Sequence, residues 1–126
     1  MLSRIGLLRV AALVEGATGL ALTIVPSLVA RLLLGDGVSS TGMALARIAG
    51  FGLLALALAC WPASVTAGTS APALRAMLVY NLVVTLYLAW LGVGGRLVGI
   101  LLWPATAYHA VMTILLARAW FSGPGR

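Results

Sequence analysis

The stretch Ile5–Leu34, IGLLRVAALVEGATGLALTIVPSLVARLLL, decides what kind of object this chain is. It is a long apolar run with a single acid, Glu15, near the middle of its first 20 positions. A carboxylate at that depth in hydrocarbon is costly, and it normally faces a bundle interior, a water-filled cavity or a partner. Ala12, Gly16, Gly19 and Thr23 recur at spacings of three and four, which lines one helix face with small residues. Membrane helices approach closely through such faces. Glu15 lies beside that face, so the expectation is that it points at other helices.

Composition widens this reading to the whole chain. Of 126 residues, 63% are hydrophobic and 8% charged, with a mean hydropathy of +1.15. A soluble domain carries about 25% charged residues. The chain therefore cannot build a water-facing surface and reads as one integral membrane domain, residues 1–126. Its length allows about four spans of roughly 20 residues.

The first span is expected over 3–25. Pro26 then stops or kinks the helix and can serve as the first residue of the next, with a continued, tilted first span as the alternative. The segment 26–34 is too short to cross a bilayer. Its stripe Leu28, Val29, Leu32, Leu33, with Ser27 and Arg31 off it, predicts a short amphipathic helix in the interface, ended by Gly35-Asp36-Gly37. Ser39, Ser40 and Thr41 offer an N-cap for span two, 41–61. Pro62 to Pro72 reads as an uncharged polar loop, followed by span three over 73–91. A tight connection through Gly92 to Arg96 leads to span four over 97–121, which Pro104 is expected to kink. The fold class is thus an all-α membrane protein: four transmembrane helices in an antiparallel bundle, with an interfacial helix after the first.

Charge sets the orientation. An even number of spans puts both termini on one side with the loop between spans two and three. Arg4, Arg9, Arg75, Arg118 and Arg126 fall there, whereas Arg31 and Arg96 fall opposite, partly offset by Asp36. The bias predicts cytoplasmic termini in a bacterial-type inner membrane. Trp61, Trp90 and Trp120 at span ends fit interfacial belts. The net charge of +6 is carried by scattered arginines without a soluble domain, so nucleic acid is not an expected partner. No small-x-small site follows the first apolar core, so a retained span rather than a cleaved leader is expected.

Polar groups converge on one depth. At about 1.5 Å per residue, Glu15 lies ~15 Å from the outer end of span one, and His109 ~18 Å from that same side. Asn81 lands near the midplane of span three. Arg47 starts ~9 Å down span two with a side chain that reaches deeper. A Glu15–Arg47 ion pair is expected, completed by Asn81 and His109, with Tyr80 and Tyr108 beside it. Thr106, His109 and Thr113 share a face, which suggests a polar seam. The bland alternative is that this layer only glues helices together.

Other chemistry finds little support. Cys60 is the sole cysteine and His109 the sole histidine, so neither a disulfide nor a metal cluster is expected. No cofactor motif is present.

Two resemblances follow from these residues. The glycine-bearing first span, Pro26, the Val/Leu-rich segment to Gly35, and Arg47 with Gly50 and Gly52 resemble the small DoxX-like four-helix bacterial membrane proteins over about the first 60 residues. That likeness implies a four-helix bundle and supplies no catalytic residues to carry over. Ala11-Ala12-Leu13-Val14-Glu15 is similar to the first span of the small multidrug resistance transporters, whose span-one glutamate is essential. The added 26–34 helix, Arg47 and the lack of that family's aromatic pattern in span three depart from it. Three functions stay open: an accessory subunit of a membrane complex or a binder of a hydrophobic small molecule; a proton-coupled transporter acting as a homodimer; and an intramembrane enzyme acting on a lipid.

Overall fold

The computed structural model describes residues 3–61 and 70–122. Five helices follow one another: α1 (Arg4–Ile24), α2 (Pro26–Leu34), α3 (Ser40–Ala59), α4 (Ser70–Gly94) and α5 (Leu102–Phe121), with no strand among the described residues. Helices α1, α3 and α4 are long and apolar enough to cross a membrane. Helix α5 has 20 residues but is diluted by Pro104, Thr106, Tyr108, His109 and Thr113, and it falls short of that apolarity. Large apolar side chains such as Leu58, Val93 and Ile100 stand open on the outside. A surface like this suits lipid rather than water.

Local chemistry sets the helix ends. Ser3 and Ser39 accept hydrogen bonds from the Gly6 and Gly42 amides, both at 3.1 Å, and so cap α1 and α3. Pro26 opens α2 at a position whose amide has no helical partner to lose. Gly35 closes α2 in the left-handed region (φ 77°), its amide bonding the Arg31 carbonyl.

Helices α4 and α5 depart from their expected bounds. Helix α4 starts at Ser70, inside the stretch read as loop, and runs on through Gly92 to Gly94; the rest of that expected loop, 62–69, lies outside the described residues. Helix α5 starts at Leu102 rather than at Leu97. The intervening segment turns at Gly95 (φ 68°) and passes beneath the end of α2. There the Gly99 and Leu101 amides donate to the Leu33 and Leu32 carbonyls, at 3.0 and 2.8 Å. Those amides satisfy carbonyls that a helix C-terminus leaves open. Apolar composition made 97–101 look helical, but its backbone is committed to α2.

The helices associate mainly as two pairs, α1 with α3 and α4 with α5. In the first pair the small-residue face of α1 meets α3: a Cβ on Gly16 would touch Ala57, and one on Gly19 would run into the Gly50 carbonyl. The core joins both pairs through Leu8, Leu74, Met77 and Leu116, all essentially inaccessible.

Candidate functional site: a polar cluster at an apolar cavity

Three helices deliver the buried polar groups. Glu15 in α1 is 1% exposed, Asn81 in α4 is 0% and His109 in α5 is 9%. His109 Nδ1 stands 2.9 Å from Asn81 Oδ1, and Asn81 Nδ2 donates to the Met77 carbonyl at 2.8 Å. A carbonyl only accepts, so the Met77 contact fixes which end of the Asn81 amide is nitrogen. Asn81 Oδ1 is then an acceptor, and the imidazole donates to it from Nδ1.

The same Nδ1 lies 3.8 Å from Glu15 Oε1. That is longer than a charge-assisted hydrogen bond of about 2.8 Å. Oε1 has no hydrogen-bond partner, and the Tyr80 hydroxyl lies against the carboxylate. Tyr80 and Tyr108 flank the imidazole edge to face, with ring centroids 5.9 and 5.1 Å away. The Tyr108 hydroxyl is buried and unpartnered.

Arg47 is not part of this cluster. Its side chain is exposed and its Nε donates to the Thr23 carbonyl at 3.3 Å. Thr23 is in the last turn of α1, whose carbonyls have no helical donors of their own. The expected Glu15–Arg47 pair is therefore corrected: the guanidinium caps α1, and the recorded neighbours of the carboxylate are His109 and Tyr80. The two sites share no partner, so Arg47→Gln and Glu15→Gln should be additive in stability to within about 0.5 kcal/mol. Thermal unfolding of the two single variants and the double variant in one detergent checks this; recovery in the double variant would restore the pair.

The threonine seam also resolves differently. Thr85, Thr106 and Thr113 donate to the carbonyls of Asn81, Leu102 and His109, each at 2.7 Å. A hydroxyl turned back onto its own helix four residues earlier is already satisfied. These side chains leave the cluster to Glu15, Asn81, His109 and the two tyrosines.

The cluster borders a cavity of about 630 Å³. Its walls are the second half of α1, the middle of α4, the first two turns of α5 and the apolar side of α2, with Leu53 of α3 reaching it as well. Leu28, Val29, Leu32 and Leu33 all line it, so the apolar stripe of the short helix covers a cavity. Sequence periodicity shows that stripe but cannot say which surface it covers. Polar groups reach the wall only at Thr18, Tyr80, Tyr108 and His109. Glu15 Oε1 and Tyr108 Oη are buried without a partner, whereas His109 itself lines the cavity.

The fold and site thus define an all-helical protein, with three helices apolar enough to span a membrane and buried polar groups beside an apolar cavity. Compared with family models, curated proteins and solved structures, the chain matches none.

Proposed function

We propose that this chain is a four-span inner-membrane protein that holds a small hydrophobic molecule in the cavity between α1, α2, α4 and α5. In this reading α5 is the fourth span of an antiparallel bundle. Both termini lie in the cytoplasm, and the DoxX-like resemblance reflects kinship of fold. The observation that carries it is the cavity itself: about 630 Å³, walled almost wholly by apolar side chains, with a few polar groups gathered at one place. Small-molecule sites are concave, mostly apolar and about 300–1,000 Å³, with a small number of placed polar groups.

The sealed position of Glu15 Oε1 favours binding over exchange. A carboxylate that trades protons for a substrate must meet that substrate, and this one lies behind His109 and Tyr80. Glu15 is 1% exposed and does not line the cavity, which supports a binding role over one as a direct acid or base there.

Ala105 lines the cavity from α5 and is small enough to be enlarged inward. Ala105→Phe is expected to leave the protein folded and to displace the occupant. Solvent extraction and mass spectrometry of the purified wild type should find one hydrophobic species near stoichiometric amounts, and the variant should lose it. Identical lipid profiles for the two proteins, with matching unfolding midpoints, would mean that only annular lipid is present.

A further inference from the structure

We infer that the cavity selects a molecule whose polar end is a hydrogen-bond donor, such as an alcohol or phenol, and that His109 Nε2 is the acceptor that reads it. The inference deepens the binder reading and rests on it.

The argument starts from Met77. Its main-chain carbonyl accepts from Asn81 Nδ2, which turns Asn81 Oδ1 toward the histidine. Oδ1 accepts from Nδ1 at 2.9 Å, so the imidazole proton sits on Nδ1. Glu15 does not compete, because its Oε1 is 3.8 Å away and makes no hydrogen bond. A neutral imidazole has one donor nitrogen and one acceptor nitrogen. With Nδ1 occupied as the donor, Nε2 carries the free lone pair, and His109 lines the cavity wall.

Tyr80 and Tyr108 both meet the ring at steep interplanar angles of 76° and 74°, which restrains its orientation and so the direction of that lone pair. An ether or ester offers only acceptors and gains nothing at Nε2. A hydroxyl gains one hydrogen bond in a place with few other polar groups. Asn81 touches no ligand in this scheme; it is a positioning residue that sets the tautomer.

The chain has one histidine, so the imidazole ¹⁵N spectrum of histidine-labelled protein reports this site alone. The experiment uses the full chain, purified without a histidine tag, in phosphatidylcholine nanodiscs, with decanol and decyl methyl ether as probes. The expected spectrum has a protonated Nδ1 and an unprotonated Nε2. Decanol should move the Nε2 resonance and bind about fivefold more tightly than the ether, the ratio one net hydrogen bond supplies. Asn81→Leu should mix the tautomers and erase the preference, whereas Asn81→Asp, which keeps an acceptor at that position, should retain both.

The wild-type measurements decide the matter even if Asn81→Leu does not fold. A proton on Nε2, equal binding of the two probes, or tighter binding of the ether would overturn the donor-head inference and leave the binder reading standing. Failure of both probes to bind would overturn the two together.

Discussion

Gly99→Ala is expected to destabilise the protein by on the order of 3 kcal/mol, the upper end for forcing one methyl into a packed site. A Cβ at this position would fall onto the Leu32 carbonyl and the Leu33 carbonyl carbon. Both are main-chain atoms of α2, so no rotamer change gives relief. The connection would have to back away and surrender the bonds from the Gly99 and Leu101 amides to α2. Buried main-chain groups left unpaired carry their own penalty. Because α2 covers the cavity, the same change should, under the proposed binding function, also weaken retention of a hydrophobic molecule there. Gly94→Ala is the control, since a Cβ there meets nothing within 4 Å. Thermal unfolding of both variants in one detergent tests the claim; equal midpoints would mean that α2 is held in place by other contacts.

Gly50→Ala is expected to cost a similar amount, about 3 kcal/mol, by a different route. Here two long helices are wedged apart. A Cβ on Gly50 would stand 2.6 Å from Thr23 Oγ1, 2.7 Å from the Gly19 carbonyl and 3.0 Å from the Thr23 amide. Thr23 Oγ1 is itself bonded to the Gly19 carbonyl at 2.8 Å and cannot swing clear without losing that bond. Gly52→Ala, two residues on and facing open space, should be close to neutral. Gly19→Ala meets the same close approach from the other helix, so Gly19→Ala and Gly50→Ala should combine to less than their sum. A Gly50→Ala variant as stable as Gly52→Ala would show that α1 and α3 are not in contact there.

Much of this was legible in the sequence because it depends on local geometry. Pro26 and the turn glycine Gly35 bracket α2 at the bounds the structure gives. A fixed rise per residue is enough to bring Glu15, Asn81 and His109 to a common level. The same arithmetic misplaced Arg47, because depth along a helix carries no information about the direction of a long side chain. Its carbonyl partner, Thr23, has no side-chain signature that marks it. The start of α5 was hidden for a related reason: 97–101 is as apolar as a span, and only tertiary demand from the end of α2 keeps it unwound. Nor does the sequence distinguish a threonine facing a polar seam from one bonded to its own helix, as Thr106 and Thr113 are.

The division into two helix pairs bears on how the protein is made. Translation delivers α1, α2 and α3 before α4 and α5, so all the residues of the glycine-lined pair precede those of the second pair. Asn81 and His109 meet within the later pair and can set the imidazole proton as soon as that pair closes. Glu15 lies in the earlier pair, and its neighbours His109 and Tyr80 both come from the later one. Closure of the pocket therefore requires the two pairs to meet, because its walls are drawn from both.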